Sequence, residues 1–135
     1  MQRLVLDTNI VLDAFVFGDD AARSLREGLQ TGRLQWLATP AMREELERVL
    51  AYPQVARRMA AAGIDAGEVL AAFDRHVLPA PEAPWAGLAC SDPDDQKFID
   101  LAVAQRAGLL SKDRAVLALR QRLASLGVPV APELA

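Results

Sequence analysis

The sequence has very little cysteine and histidine, which limits the disulfides and the histidine-based catalysis that the protein can use. Cys90 is the single cysteine among 135 residues. It cannot form an internal disulfide, which fits a reducing cytoplasm. His76 is the single histidine, and we interpret it as a surface or helix-end residue in preference to a general base.

Long apolar runs and an excess of positive charge are also missing. No stretch approaches the roughly 18 uninterrupted apolar residues of a membrane span, and the N-terminus lacks a signal-peptide layout, so we expect a cytoplasmic protein without membrane association. The net charge is −3, which is not typical of a general nucleic-acid binder. At 135 residues and 52% hydrophobic, the chain has enough apolar material for one domain over residues 1–135.

A carboxylate directly follows the first apolar run. Leu4-Val5-Leu6 ends in Asp7, Thr8 and Asn9. A short aliphatic run of this kind is typical of a strand buried on both faces of a parallel sheet. Ligands of open α/β sheets lie beyond the carboxyl ends of the strands, where Asp7 would be. The pattern predicts either a cap of the next helix or a divalent-cation ligand, because a desolvated carboxylate needs a partner.

Glu45 lies beside the apolar stripe of a predicted helix that begins near Pro40. The stripe consists of Met42, Leu46, Val49 and Leu50. Glu45 neighbours it at i±3 and i±4 spacing, whereas Glu44 and Glu47 point further toward solvent. Glu45 is therefore either an inward-facing site residue or an edge-of-core glutamate that reaches water.

The segment Asp92-Pro93-Asp94-Asp95 opens another predicted helix. Asp92 suits the N-cap, Pro93 suits the first helical position, and the helix dipole favours Asp94 in the first turn. Capping explains Asp95 less well, because it lies one turn before Phe98 on the predicted buried side.

Asp113 repeats the arrangement seen at Asp7. It follows a predicted strand, Leu109-Leu110-Ser111, and precedes a predicted helix from Arg114 to Leu126. Strands that alternate with helices in this way indicate a mainly parallel sheet with helices on both faces, which is a three-layer α/β/α fold.

Three further segments predict strands or connectors. Leu34-Gln35-Trp36-Leu37-Ala38 predicts a strand, and His76-Val77-Leu78 is either a short strand or the end of a helix. Val128-Pro129-Val130 predicts an edge strand, where proline is tolerated. The irregular segment from Pro79 to Cys90 is either a groove wall with Trp85 as a stacking platform or a rigid connector whose tryptophan packs on the body. We favour the connector.

Taken together, these residues resemble the PIN-domain nucleases, and in particular their toxin-like bacterial members. The matching motifs are Asp7-Thr8-Asn9, Glu45-Leu46, Asp95 before Leu101-Ala102, and Leu110-Ser111-Lys112-Asp113, within a resemblance from about Val5 to Leu117. The resemblance implies a PIN-like fold and an acidic metal-binding centre of Asp7, Glu45, Asp95 and Asp113, with Asp92 as second choice. It implies polar support from Thr8 or Asn9 and from Ser111.

The resemblance also implies an Mg²⁺- or Mn²⁺-dependent endoribonuclease that cleaves single-stranded or looped RNA. The expected partners are a second copy of the chain in a homodimer and, if the protein is the toxin of a toxin–antitoxin pair, a cognate antitoxin. Two other classes stay open. One is a metal-dependent phosphatase with Asp7 as nucleophile, although such sites usually carry a second aspartate where this chain has Asn9. The other is a non-catalytic binding module on the same fold, whose mark would be a lost acid.

Overall fold

A parallel sheet of five strands forms the centre of the computed structural model, which describes residues 2–134. The strands are β1 (Gln2–Leu6), β2 (Leu34–Ala38), β3 (Val77–Pro79), β4 (Gly108–Leu110) and β5 (Val130–Ala131). They are arranged in the order β3-β2-β1-β4-β5, and every neighbouring pair is parallel. The predicted parallel α/β sheet is therefore confirmed.

Helices connect the strands and complete the expected three-layer α/β/α architecture. They are α1 (Thr8–Phe15), α2 (Arg23–Thr31), α3 (Pro40–Leu50), α4 (Pro53–Ala62), α5 (Ala66–His76), α6 (Gln96–Gln105), α7 (Arg114–Leu117) and α8 (Arg120–Ser125), with 3₁₀ turns at Asp20–Ala22 and Pro93–Asp95. Within residues 2–134, none of these helices combines the length and the apolar character that a membrane crossing needs.

The central strand β1 is the most enclosed part of the sheet. Its residues Leu4, Val5 and Leu6 are buried, because β2 and β4 pair with both of its edges and the helices α1 and α6 pack against it. In the neighbouring strand, the Trp36 ring packs edge-on against Phe73 of α5, with ring centroids 5.0 Å apart. Each such side chain contributes about 1.5–3 kcal/mol by leaving water. The direct pairing of β1 with β4, in which Leu6 lies opposite Leu110, holds the carboxyl ends of these two strands side by side.

The prediction of one continuous helix from Arg114 to Leu126 is wrong. The chain turns at Leu119, whose N–H donates to the Val116 carbonyl at 3.0 Å. Leu119 is not helical, with φ −96° and ψ 6°. The turn allows Val116 and Leu123, on either side of it, to be completely buried. The segment has no glycine or proline at the break, so its pattern of apolar residues predicts one continuous helix.

The structure contains strands near His76 and near Val128, each shifted slightly from the predicted position. His76 ends α5 and Val77 begins β3, so the segment contains both the helix end and the strand. The edge strand lies at Val130–Ala131, slightly after the predicted Val128-Pro129-Val130. The Pro129 carbonyl still accepts from a β4 amide at 2.9 Å, which keeps the proline at the sheet edge.

The segment from Pro79 to Cys90 is a connector held against α6, but Trp85 does not pack on the body as we expected. The Trp85 side chain is 68% exposed. The Ala86 N–H donates to Asp100 Oδ1 at 2.9 Å, and the Gln96 side-chain amide bonds two further backbone groups of the segment. These polar contacts fix the connector without any need to bury its tryptophan.

Candidate metal centre

The two adjacent strands β1 and β4 are each followed by an aspartate. The Asp7 N–H donates to the Leu110 carbonyl at 3.0 Å, which extends the pairing of the two strands by one residue. Asp113 follows β4, and its Oδ1 accepts from the Ala115 N–H at 2.8 Å, which caps α7. Because parallel strands end at one edge of the sheet, the topology brings both aspartates to the same place.

Ser111 connects these two aspartates. It is fully buried, and its hydroxyl donates to Asp7 Oδ2 at 2.6 Å. Its Oγ also accepts from the Asp113 N–H at 3.0 Å. Burial raises the pKa of Asp7, and the Ser111 hydrogen bond opposes that rise because it stabilises the charged carboxylate.

Asp95 reaches the same place from the start of α6. Asp92 begins the 3₁₀ turn Pro93–Asp95, and its Oδ1 accepts from the Asp94 N–H at 3.0 Å. The turn leaves Asp94 exposed and points Asp95 inward, where it is only 7% exposed. Asp92 thus acts as the predicted N-cap, although a 3₁₀ turn stands in front of the α-helix that we expected to begin there.

The carboxylates of Asp7, Asp95 and Asp113 converge. One oxygen of each lies within 4.8 Å of the others, a spacing that a single metal ion can bridge. Among the described residues, Asp95 Oδ2 is buried without a hydrogen-bond partner. Burial, followed by the charges of Asp7 and Asp113, raises the pKa of Asp95 to about 7. A cluster of this kind is electrostatically incomplete without a cation.

Glu45 lies in the same cleft but has other partners. Its Oε1 accepts from Lys97 Nζ at 2.6 Å, and its Oε2 accepts from the Thr8 hydroxyl. Glu44 and Glu47 are exposed, as we predicted from the helix phase. Among residues 2–134, the convergent carboxylate group contains the three aspartates and not Glu45.

An open cleft of about 500 Å³ contains all four predicted acids. The predicted supporters Thr8 and Asn9 also line it, whereas Ser111 is fully buried and bonds to the lining residues Asp7 and Asp113. The remaining lining residues are Leu12, Arg48, Val49, Tyr52, Val55, Asp94 and Lys97. The cleft therefore has an acidic floor, and it is also lined by the positively charged side chains of Arg48 and Lys97 and by the aromatic ring of Tyr52.

The ion pairs formed by two lysines escaped the sequence analysis. Lys97 pairs with Glu45, and Lys112 Nζ lies 2.5 Å from Asp13 Oδ2, which ties the loop before Asp113 to α1. Asp13 offered a signal, because it is a lone acid on the apolar face of a short helix and is buried there. No sequence pattern indicated the contact of Lys97, because its partner Glu45 is 52 residues away in sequence.

Comparisons with known proteins identify the fold and the family of the chain. The fold is similar to that of a chain in the crystal structure of VapBC2 from Rickettsia felis bound to a DNA fragment from their promoter, with a TM-score of 0.62 and 14% identity over 96% of this chain and 98% of that chain. No curated protein matches the sequence significantly. Residues 3–115 match the family model described as PIN domain. Because this match covers most of the sequence, the chain belongs to the PIN domain family.

Proposed function

We propose that the protein is a divalent-metal-dependent ribonuclease that hydrolyses phosphodiester bonds of single-stranded or looped RNA. The observation that carries the proposal is the buried, unpartnered Oδ2 of Asp95 among three converging carboxylates. Hard divalent cations such as Mg²⁺ and Mn²⁺ prefer oxygen ligands of this type. Membership of the PIN domain family supports a nuclease over other uses of such a cluster.

We assign Asp7 and Asp95 as the most direct ligands and Asp113 as a ligand or as a support of the other two. The residues fit a divalent cation, because their charges are close enough to repel and burial limits the solvent that screens them. When bound, Mg²⁺ or Mn²⁺ supplies the Lewis acidity that activates a water and stabilises charge on the phosphodiester. Asp92 remains the second choice, since its carboxylate already caps a turn.

The surrounding residues hold these acids in fixed positions. The Ser111 hydroxyl orients Asp7 Oδ2. Thr8 and Lys97 each hold one oxygen of Glu45 at the cleft wall, so we assign Glu45 the role of orienting the attacking water. Asn9 is exposed at the cleft, where its amide would contact substrate.

The direct test is cleavage of a 5′-labelled single-stranded RNA by the full-length chain. We expect products with Mg²⁺ or Mn²⁺, none with EDTA, and none from Asp95→Asn, whereas the exposed neighbour Asp94→Asn should cleave like the wild type. Hydrolysis of an aryl phosphate without RNA cleavage would support the phosphatase alternative instead. RNA binding without any cleavage, in every metal tried, would support the non-catalytic module.

We further propose that residues 1–135 form one domain and that two copies of the chain form a homodimer.

We also propose that the protein is a cytoplasmic toxin of a toxin–antitoxin pair. The fold similarity to a chain of the VapBC2 structure supports the toxin role. A cognate antitoxin would place a basic side chain among the carboxylates in a charge-assisted contact. Growth arrest on expression of the chain alone, relieved by the neighbouring gene, tests the role. Normal growth of cells that contain folded, RNA-cleaving protein would rule out the toxin while leaving the nuclease intact.

A further inference from the structure

We propose that Arg48 and Tyr52 form a subsite for one nucleotide of a single-stranded RNA, with the base stacked on the Tyr52 ring and a phosphate on the Arg48 guanidinium. The subsite rests on the proposed ribonuclease function, because it concerns how the same cleft holds the strand. Both residues line the cleft that contains the three aspartates. An RNA strand bound in this cleft with one phosphodiester at the carboxylates would therefore lie against Arg48 and Tyr52.

Tyr52 combines an exposed ring with a fixed backbone. Its side chain is 52% exposed. Its N–H donates to the Val49 carbonyl at 3.0 Å at the end of α3, and its carbonyl accepts from the Ala56 N–H at 2.8 Å in α4. Only two side-chain torsions remain to be ordered when a base binds, so stacking costs little entropy. An exposed aromatic ring on a rigid backbone is a suitable platform for an unpaired base.

Arg48 supplies the positive charge that a polyanion would need here. The floor of the cleft is acidic and repels phosphate, and the Lys97 ammonium is already paired with Glu45. Arg48 is exposed and belongs to none of the ion pairs among residues 2–134. Its guanidinium presents five N–H donors in a fork that matches phosphate oxygens. Arg48 lies in the last turn of α3, Tyr52 follows the end of that helix, and both side chains line the same cleft, so the two can contact adjacent parts of one nucleotide.

The chain offers a matched control for each residue. Trp85 is also an exposed aromatic, at 68%, but it does not line the cleft. Arg57 is an exposed arginine of the nearby helix α4 and likewise lies outside the cleft lining. If simple exposure of an aromatic ring or of a positive charge explained RNA binding, Trp85→Ala and Arg57→Gln would weaken it as well.

The experiment measures binding separately from cleavage. A fluorescent single-stranded oligoribonucleotide is titrated with the full chain carrying Asp95→Asn, which we expect not to cleave it, and anisotropy is followed at several salt concentrations. Tyr52→Ala should weaken binding about tenfold, as loss of one stacked base does, whereas Tyr52→Phe should bind like its parent. Binding of a fully paired duplex should not depend on Tyr52, because its bases are not free to stack on the ring.

Arg48 is tested by the salt dependence of the same titration. Arg48→Gln should reduce the slope of log K against log salt by about 0.7, the value for one phosphate contact on a single strand. Arg48→Lys should retain most of that slope. Trp85→Ala and Arg57→Gln should leave affinity and slope unchanged. The melting temperature of each variant checks that it is folded.

The outcomes separate the subsite from the nuclease. If the wild type cleaves RNA but Tyr52→Ala and Arg48→Gln bind like their parent, the subsite is wrong and the nuclease stands. The subsite is equally wrong if these variants keep RNA binding and instead lose binding to an antitoxin, since the surface would then be a protein-docking face. Binding that depends on Tyr52 and Arg48 without any cleavage would support the subsite and count against the ribonuclease.

Discussion

The hydroxyl of Ser111 donates a 2.6 Å hydrogen bond to Oδ2 of Asp7, and both groups are buried at the ends of adjacent parallel strands. The two residues are 104 positions apart in sequence. Their contact fixes the orientation of one carboxylate oxygen, while the backbone of Asp113 is fixed by the same hydroxyl. The geometry of the acidic cluster therefore depends on the uncharged side chain of Ser111.

Ser111→Ala should weaken both metal binding and folding. Loss of the hydrogen bond removes an interaction that favours the charged form of Asp7, so its pKa should rise further. We expect the apparent Mn²⁺ affinity, measured by titration calorimetry near neutral pH, to fall several-fold. The free energy of unfolding should fall by about 1–3 kcal/mol. Ser111→Thr retains the hydroxyl and should retain the affinity, and equal affinities for the alanine and threonine variants would contradict this role.

Asp95→Asn should stabilise the metal-free protein and remove its response to metal. The substitution deletes one of three mutually repelling charges and keeps a side chain of the same shape. Without metal, we expect the melting temperature to rise by about 4 °C for each kcal/mol of repulsion relieved. Millimolar Mn²⁺ should raise the melting temperature of the wild type, because it binds the folded state, and EDTA should reverse the rise. The exposed Asp94→Asn is the matched control and should respond to Mn²⁺ like the wild type.

The raised pKa of Asp95 makes the metal-free stability depend on pH. The unfolded carboxyl titrates near its ordinary value of about 3.9, and the folded one titrates at about 7. Between these values the folded state binds more protons than the unfolded state, so stability falls as the pH rises through this window. The melting temperature of Asp95→Asn minus that of the wild type should therefore increase from about pH 5 to pH 8 in EDTA. A difference that stays constant with pH would show that Asp95 titrates normally.

The sequence was sufficient to predict those parts of the site that depend on local pattern and strand order. Asp7 and Asp113 each follow an apolar run, and the ends of parallel strands meet at one edge of a sheet. Helix phase distinguished Asp95 from Asp94 and Glu45 from its exposed neighbours.

The features that were missed depend on tertiary contacts. The break at Leu119 places Val116 and Leu123 in the core, and local propensity carries no sign of it. Trp85 stays exposed because hydrogen bonds from α6 hold its segment in place of apolar packing. The pairing of Glu45 depends on where α3 and α6 meet, which no spacing in the sequence encodes.

That last contact gives a further prediction, because Lys97 and Glu45 are both largely buried. Their side chains are 25% and 16% exposed, and Lys97 Nζ lies 2.6 Å from Glu45 Oε1. Lys97→Met leaves the Glu45 carboxylate with only the Thr8 hydroxyl, so we expect the free energy of unfolding to fall by about 1–3 kcal/mol. Adding Glu45→Gln should recover much of that loss, because the unpaired charge is then removed.

Urea unfolding of the two single variants and the double variant measures the coupling between these residues. The exposed pair Arg43 and Asp74 is the matched control, because solvent screens its charges and should leave the coupling between the two residues small. Activity provides a second readout: folded Lys97→Met should cleave RNA more slowly than the wild type, because Glu45 would no longer be held at the cleft wall. Additive effects of the two substitutions on stability would mean that the pair does not hold Glu45 in solution.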